Sequence, residues 1–341
     1  MKAIILAGGQ GTRLRAVTGG EPKPLVPLLG RPLMEHILRL LGRNGIREIR
    51  AALSYRPERI MDTFGDGSAL GLSLSYHVER QPRGTAGAVR ACRDFIGDED
   101  VLVMSGDVAC DFDLAALCRR HRESGAAASI ALTRSETPLR FGLAVTDADD
   151  RIRAFVEKPS WPQVVTDLIS TGIYVLSPRA LGAIPADTAY DFGRDLFPAL
   201  LRRGELLLGL PMAGYFCDVG TPESYYRCCL DALQGRLRLE PGEGFSLSSP
   251  ESAQAQAQEI EPGPVLPCRS RAALMGALSE LMLEMNADLS DGIRLRAPGY
   301  SLHVSPLSDR EAVRVQVEAP DTEFAAAMTA SVEEIIRALD L

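Results

Sequence analysis

An apolar run from Lys2 to Leu6 passes without a break into Ala7-Gly8-Gly9-Gln10-Gly11-Thr12-Arg13-Leu14. A short buried strand that opens into a glycine-rich turn constrains this chain more than any other stretch. Glycine lacks the side chain that would keep a ligand away, so the turn brings backbone N–H groups close to whatever sits above the sheet edge. Phosphate suits such a turn. Arg13 lies within it, and Glu21-Pro22-Lys23-Pro24-Leu25-Val26-Pro27 follows, with prolines stiffening the chain around one lysine. Two fixed cations beside a nest of amides describe a triphosphate site. A glycine cluster by itself also marks ordinary turns. This one has neither the Gly-x-x-x-x-Gly-Lys-Ser/Thr spacing nor the third glycine of a dinucleotide fingerprint.

Composition sets the frame for that turn. A chain of 341 residues with 46% hydrophobic content buries a full core and divides into two or so domains. With no apolar run of about 18 residues, no membrane-spanning helix is expected. The opening apolar run is too short for a secretory signal. Cys92, Cys110, Cys118, Cys217, Cys228, Cys229 and Cys268 form an odd set without a C-x-x-C pair. Reduced thiols in the cytoplasm fit them better than a disulfide framework or a zinc site. The net charge of −8 is unevenly spread, with 16 acids and 7 bases in residues 241–341 and 29 acids and 30 bases before them. The long first part therefore tolerates strongly anionic small substrates. Neither part has a basic tract for nucleic acid or a basic amphipathic segment for a membrane surface.

Strands alternate with helical patterns through the first half, as in βαβ units around a mostly parallel sheet. Pro32 starts a helix whose Leu33, Ile37, Leu40 and Leu41 share one face. His36 lies on that helix without a second ligand at helical spacing, which makes it a surface or interface residue. Ile46 to Leu53, Leu72 to Val78, Asp100 to Ser105 and Ala126 to Leu132 read as strands, and Pro57 to Phe64 as a helix. After the third strand, Glu79-Arg80-Gln81-Pro82-Arg83-Gly84-Thr85-Ala86-Gly87 supplies small residues against which a planar base lies, or else packs tightly as a strand-to-helix loop. Spacing leaves open whether Glu79 or Gln81 meets the base. Asp107 stands at the carboxyl end of a buried parallel strand, where open α/β sheets bind ligands. Asp113 caps the next helix, so Asp107 is free for other work. Farther on, Phe141 to Thr146 and Arg151 to Val156 form a hairpin leading to Glu157-Lys158-Pro159. Asp167 to Leu176 holds Ile169-Ser170-Thr171-Gly172-Ile173-Tyr174-Val175. A Glu-Lys pair offers a carboxylate for sugar hydroxyls and an ammonium for phosphate, and Gly172 permits close approach of a ring.

Leu6 to Leu14 followed by Pro22-Lys23-Pro24-Leu25 resembles the signature of the sugar-1-phosphate nucleotidyltransferases, the NDP-sugar pyrophosphorylases. Gly84-Thr85-Ala86-Gly87 resembles the family's base-binding segment. Tyr215-Phe216-Cys217-Asp218-Val219-Gly220 resembles the segment carrying its second metal aspartate, with Phe216 where tryptophan is more usual. The match runs in order over residues 1 to about 238. It implies a Rossmann-like, GT-A-like α/β domain with a mostly parallel sheet over 1–238, followed by a flexible linker over 239–269 and a small α+β domain over 270–341. It also implies Mg²⁺ on Asp107 and Asp218. In that reading Arg13 holds the leaving pyrophosphate, Lys23 the NTP phosphates and Lys158 the sugar phosphate. Leu6, Ala7, Gly8, Gly9, Gly11, Thr12, Glu79, Gln81, Gly84 and Thr85 line the nucleotide, while Glu157, Lys158, Thr171 and Gly172 line the sugar phosphate. Among subfamilies the motifs are most similar to mannose-1-phosphate guanylyltransferases, acting on GTP and mannose 1-phosphate. Glucose-1-phosphate thymidylyl- or uridylyltransferase is the alternative, and a catalytically silent NDP-sugar sensor is the rival from another class.

Residues 240–268 are rich in Pro, Gly, Ser, Gln and Glu, a composition that buries little surface. No hexapeptide repeat follows, which argues against an acyltransferase domain. Instead Leu274, Leu278, Leu281 or Met282, and Met285 mark an amphipathic helix, ahead of strands at 292–296, 301–304 and 312–318 and a helix over 322–339. This tail is similar to the last domain of phosphohexomutases. Its phosphate loop, Ser305-Pro306-Leu307-Ser308-Asp309-Arg310-Glu311, has lost the first cation and gained Asp309 and Glu311, so anion binding is not expected of it. Assembly or stability is the expected use, with a homo-oligomer left open.

Overall fold

A computed structural model describes residues 1–186, 188–242, 264–268, 274, 275, 278, 293–297, 300–307, 312–318 and 322–338. Its contacts divide the chain into two units. The first holds Met1–Thr133, Thr146–Ala154 and the chain from Ser170, and the second holds Arg134–Val145, Phe155–Ile169 and the C-terminal segment.

The alternation in the sequence becomes, in chain order, β1 (Lys2–Ala7), α1 (Leu33–Arg43), β2 (Glu48–Leu53), α2 (Pro57–Phe64), β3 (Ser73–Val78), α3 (Gly84–Ala91) and β4 (Val101–Ser105). There follow β5 (Val108–Cys110), α4 (Leu114–Ser124), β6 (Ala128–Arg134), β7 (Gly142–Thr146), β8 (Ile152–Glu157) and β9 (Leu168–Leu176). The first unit closes with α5 (Phe197–Arg202), β10 (Leu207–Pro211), β11 (Phe216–Asp218) and α6 (Pro222–Leu233). Its sheet runs β10-β6-β9-β4-β1-β2-β3. β4, β1, β2 and β3 are parallel neighbours, whereas β9 lies antiparallel to β4. Burial on both faces of β1 and β4 explains why these strands read as continuous apolar runs rather than alternating ones.

Several details follow from capping and packing. Asp113 accepts the Ala116 N–H at 2.9 Å and starts α4, as expected of it. β11 pairs antiparallel with β5 in a two-stranded ribbon, placing Asp218 opposite Val108. Phe216 stacks on Phe112 with ring centroids 6.3 Å apart, so the change from tryptophan preserves a ring contact.

His36 is not a surface residue. It is 4% exposed on the apolar face of α1, and Nε2 bonds the Leu28 carbonyl at 2.8 Å. A local backbone acceptor, invisible in helical spacing, lets the ring stay inside. His121 is equally buried, with Nδ1 2.8 Å from Ser129 Oγ. Burial pushes both imidazoles below their ordinary value, outweighing the Leu28 carbonyl for His36 and Asp100 for His121. A depressed imidazole means that the unfolded chain binds more protons below about pH 6.5, so stability is full above that value and falls as pH drops through it. The melting temperature is therefore expected to be lower at about pH 5.5 than at about pH 7.5. The gap should narrow in a His36→Gln, His121→Gln double variant, and an unchanged gap would remove both residues from the effect.

The second unit holds β7, the start of β9, and a four-stranded sheet, β12 (Val265–Pro267), β13 (Ile293–Ala297), β14 (Tyr300–Pro306) and β15 (Ala312–Glu318), with α7 (Thr322–Ala338). The sheet order is β12-β15-β14-β13, all antiparallel. β12 falls inside the stretch expected as linker over 239–269. Averaged composition hid Val265-Leu266, of which Leu266 is 7% exposed, and residues 243–263 lie outside the described residues. Leu274 and Leu278 are helical and buried as expected, whereas 281–285 and 308–311 lie outside the described residues. The expected boundary at residue 238 also differs from the observed division. The hairpin segment carrying Leu139, Trp161 and Val164 shares one apolar cluster with the C-terminal sheet and helix.

Candidate active site

Each functional side chain in the first unit stands at the carboxyl end of a strand or in the loop beyond it. β1 ends at Ala7, and Ser54, just past β2, donates to the Gly8 carbonyl at 2.5 Å. Gly11 takes a φ of 60° to cap the turn Thr12–Leu14. A Cβ on Gly11 would lie 3.1 Å from Lys23 Cβ, so the loop packs along the lysine stem. Lys23 itself sits in a one-turn helix, Lys23–Leu25, stiffened by Pro22 and Pro24.

That stem leads the Lys23 ammonium to two acids. Its Nζ lies 2.6 Å from Asp107 Oδ2 and 3.7 Å from Asp218 Oδ1. Gly106, crossing over the end of β1, donates to the Leu6 carbonyl at 2.8 Å and so fixes where Asp107 stands. A Cβ there would come within 2.9 Å of that oxygen. Ser105 Oγ donates to Asp107 Oδ1 at 2.5 Å. Burial opposes ionisation of Asp107, but the Lys23 charge and the Ser105 hydroxyl prevail and hold its carboxyl below the usual range. Asp218 is presented by β11 and by the turn into α6. There Val219 donates to the Asp107 carbonyl at 3.0 Å, and Thr221 and Ser224 form a capping box. Arg13 is exposed, and its Nη2 lies 3.5 Å from where a Gly220 Cβ would stand, beside Asp218. Loop, two cations and two acids thus converge on one point.

The base loop is more divided. Glu79 is half-buried, with Oε2 3.5 Å from a Cβ built on Gly8. Its Oε1 is buried without a hydrogen-bond partner among the described residues. Burial raises the Glu79 carboxyl, against the main-chain N–H and charge of Arg83. Gln81 is exposed. Gly84 and Gly87 are needed for packing: Ala86 and Gly87 both donate to the Tyr190 carbonyl, at 2.9 and 3.0 Å. Thr85 gives its N–H and hydroxyl to Asp191 Oδ1 at 3.0 and 3.1 Å, and the same hydroxyl accepts from the Phe192 N–H. The polar groups of Thr85 thus already clip two loops together.

Gly172 adopts a φ of 74°, and a Cβ on it would meet Ser105 Cβ at 3.2 Å, next to Asp107. Thr171 is buried within β9 and donates its hydroxyl to the Ala131 carbonyl at 2.8 Å, so that group is already engaged. Glu157 and Lys158 belong to the second unit, where the Lys158 side chain is exposed. Ser54, Ser105, Tyr190 and Asp191 were not singled out from the sequence. Ser54 had a signal, since it directly follows a parallel strand. Asp191 and Tyr190 act through a contact about a hundred residues away, for which no local pattern exists.

The residues fit Mg²⁺. Two carboxylates supply hard oxygen ligands at one point, and phosphate oxygens and water complete such a shell. No group of three or more His, Cys, Asp or Glu forms a protein-only metal cage among the described residues. No helix among them is long and apolar enough to cross a membrane.

A strand-to-glycine loop, paired cations and paired acids at the sheet edge define an enzyme that handles nucleotide phosphates. The nucleotidyl transferase family model matches residues 2–235, and the chain belongs to that family of enzymes. Mannose-1-phosphate guanylyltransferase of Mycobacterium tuberculosis is 34% identical over 299 residues, spanning 86% of this chain and 81% of the relative. UTP–glucose-1-phosphate uridylyltransferase of Synechocystis is 35% identical over 254 residues, 70% of this chain and 64% of that one. Among solved structures, HddC from Yersinia pseudotuberculosis, complexed with GMP-PN, superposes with a TM-score of 0.58 at 28% identity, covering 68% of this chain and 99% of its own. A Bacillus anthracis protein in complex with sucrose gives a TM-score of 0.64 at 27% identity, over 72% and 98%.

Proposed function

We propose that this chain transfers a nucleotidyl group from GTP to mannose 1-phosphate, giving GDP-mannose and pyrophosphate. The observation that carries the reading is the Lys23 ammonium set between Asp107 and Asp218 beside the glycine loop. A phosphate oxygen of the sugar attacks the α-phosphorus. The new P–O bond forms as the bond to the β-phosphate oxygen breaks, and pyrophosphate leaves on the opposite side. The attacking group is already an anion, so no base is required, and positioning with charge neutralisation supplies the acceleration. Main-chain N–H groups of Gly8, Gly9, Gly11 and Thr12 cradle the triphosphate. Lys23 neutralises its phosphates, Arg13 holds the leaving pyrophosphate, and Lys158 and Glu157 take the sugar phosphate and the sugar hydroxyls. Asp107 and Asp218 would hold Mg²⁺, which when bound offsets the repulsion between the two polyanions.

Glu79 supports guanine. Its Oε1 is buried with no partner among the described residues, and a carboxylate matches the adjacent N1–H and N2–H₂ donors of guanine. Uracil and thymine offer one such donor. The curated relatives named as guanylyltransferases support the same base. The test is pyrophosphate release with Mg²⁺ across GTP, dTTP, UTP, CTP and ATP against mannose, glucose, N-acetylglucosamine and heptose 1-phosphates. GTP with mannose 1-phosphate is the expected pair, and a different productive pair would replace it. In Glu79→Gln, kcat/KM for GTP should fall by about 10- to 100-fold while other nucleotides change less. An unaltered base preference would move the contact to Gln81.

A further inference from the structure

The loop after β8 combines an exposed cation with a buried anchor. Lys158 holds a φ of 47°, a left-handed conformation that a lysine adopts only where its surroundings impose it. Its N–H donates to the Phe141 carbonyl at 3.0 Å. Gly142 admits the Phe155 ring and the Glu157 carboxylate, since a Cβ there would overlap the ring and lie 2.8 Å from the carboxylate. Beyond Pro159, Ser160 donates its N–H and hydroxyl to Gln163 Oε1 at 2.9 and 3.1 Å, closing a single turn. At the loop's far end Arg134 grips Asp167 through two bonds of 2.6 and 2.8 Å.

The centre of that turn is Trp161, 2% exposed although its neighbours Ser160 and Pro162 are exposed. It shares an apolar cluster with Leu266, Leu302, Val304, Val315, Val332 and Ile336, all of the C-terminal segment. Leu139 and Val164 of the same loop pack against that cluster. The indole Nε1 is buried without a hydrogen-bond partner among the described residues. Its place there is justified by apolar contact alone, which phenylalanine would largely reproduce.

We propose that Trp161 is a positioning residue through which the C-terminal segment holds the loop bearing Glu157 and Lys158, and so sets the affinity for the sugar phosphate without touching it. This rests on the reading of Lys158 as the sugar-phosphate cation. A tail of which anion binding is not expected thereby has a use in the reaction. The segment acts as a splint for one loop.

The test uses the full chain, with the substrate pair that the wild type accepts. Trp161→Ala should raise KM for the sugar 1-phosphate by about tenfold, leaving KM for the nucleotide and kcat within about twofold, and Trp161→Phe should restore the wild-type value. Equal losses in both KM values and in kcat would mean general disorder and overturn the proposal. Trp161 is the one tryptophan of the chain, so its emission reports its surroundings directly. In Val315→Asp, a change in the C-terminal core, emission should move to longer wavelength together with a rise in KM for the sugar phosphate. An emission shift with KM unmoved overturns the proposal while leaving the reaction intact. A wild type inactive with every pair overturns the proposed reaction, and this inference with it.

Discussion

Asp218→Asn lowers turnover by about two to four orders of magnitude, or about 3–5 kcal/mol of transition-state stabilisation, without unfolding the chain. Asparagine keeps the shape of the side chain, so the ribbon register of Asp218 with Val108 and the capping box of Thr221 and Ser224 are retained. The substitution removes one negative oxygen from the point where Lys23 and Asp107 already lie 2.6 Å apart. One carboxylate and one ammonium are left where the proposed Mg²⁺ site has two acids, so the metal requirement should rise about 10- to 100-fold as well. Pyrophosphate release as a function of Mg²⁺ measures both effects, and a thermal scan of the same sample reports the fold. Near-normal turnover at ordinary Mg²⁺ would remove Asp218 from the metal role. An equal loss of melting temperature would assign the effect to folding.

Asp107 and the glycine loop were legible because each stands where a local rule puts it, whereas Lys23 was read from the prolines around it and Asp218, inside a two-stranded ribbon, from a resemblance of motifs. A buried apolar strand ends, the chain turns, and the first polar residue beyond the sheet edge faces ligand. The parallel core was legible for a related reason, since strands buried on both faces announce themselves as unbroken apolar runs. What could not be read depends on partners distant in sequence. His36 is inside because Leu28 offers a carbonyl eight residues earlier, which no helical periodicity encodes. Thr85 is committed to Asp191 across 106 residues. Trp161 is committed to a sheet that begins at Val265, which is why neither the unit boundary nor the end of the linker followed from composition. Gly84 lies between these cases: the motif marks the position, but the reason for glycine there comes from a strip of backbone far along the chain.

That reason makes Gly84→Ala the most destabilising single methyl expected in the site. Gly84 has a φ of 70°, and a Cβ would sit 2.7 Å from the Tyr190 carbonyl oxygen and 2.9 Å from its carbon. The obstacle is backbone on both sides, with no flexible side-chain end to yield. Relief requires moving residue 190 away, which breaks the bonds that Ala86 and Gly87 donate to Tyr190 and loosens the clip between Thr85 and Asp191. A left-handed alanine costs about 1 kcal/mol and each weakened bond about 1 kcal/mol, so the total is about 2–4 kcal/mol. In a unit of this size that lowers the melting temperature by about 6–12 °C. Gly9→Ala is the control, because a Cβ there meets nothing within 4 Å and its φ is not in the left-handed region. It should melt like the wild type and instead raise KM for the nucleotide, since the added methyl stands where phosphate approaches the loop. The two glycines then separate by measurement: Gly84 through denaturation, Gly9 through kinetics. If Gly84→Ala melts normally and loses only nucleotide affinity, its glycine serves the ligand and not the packing against Tyr190.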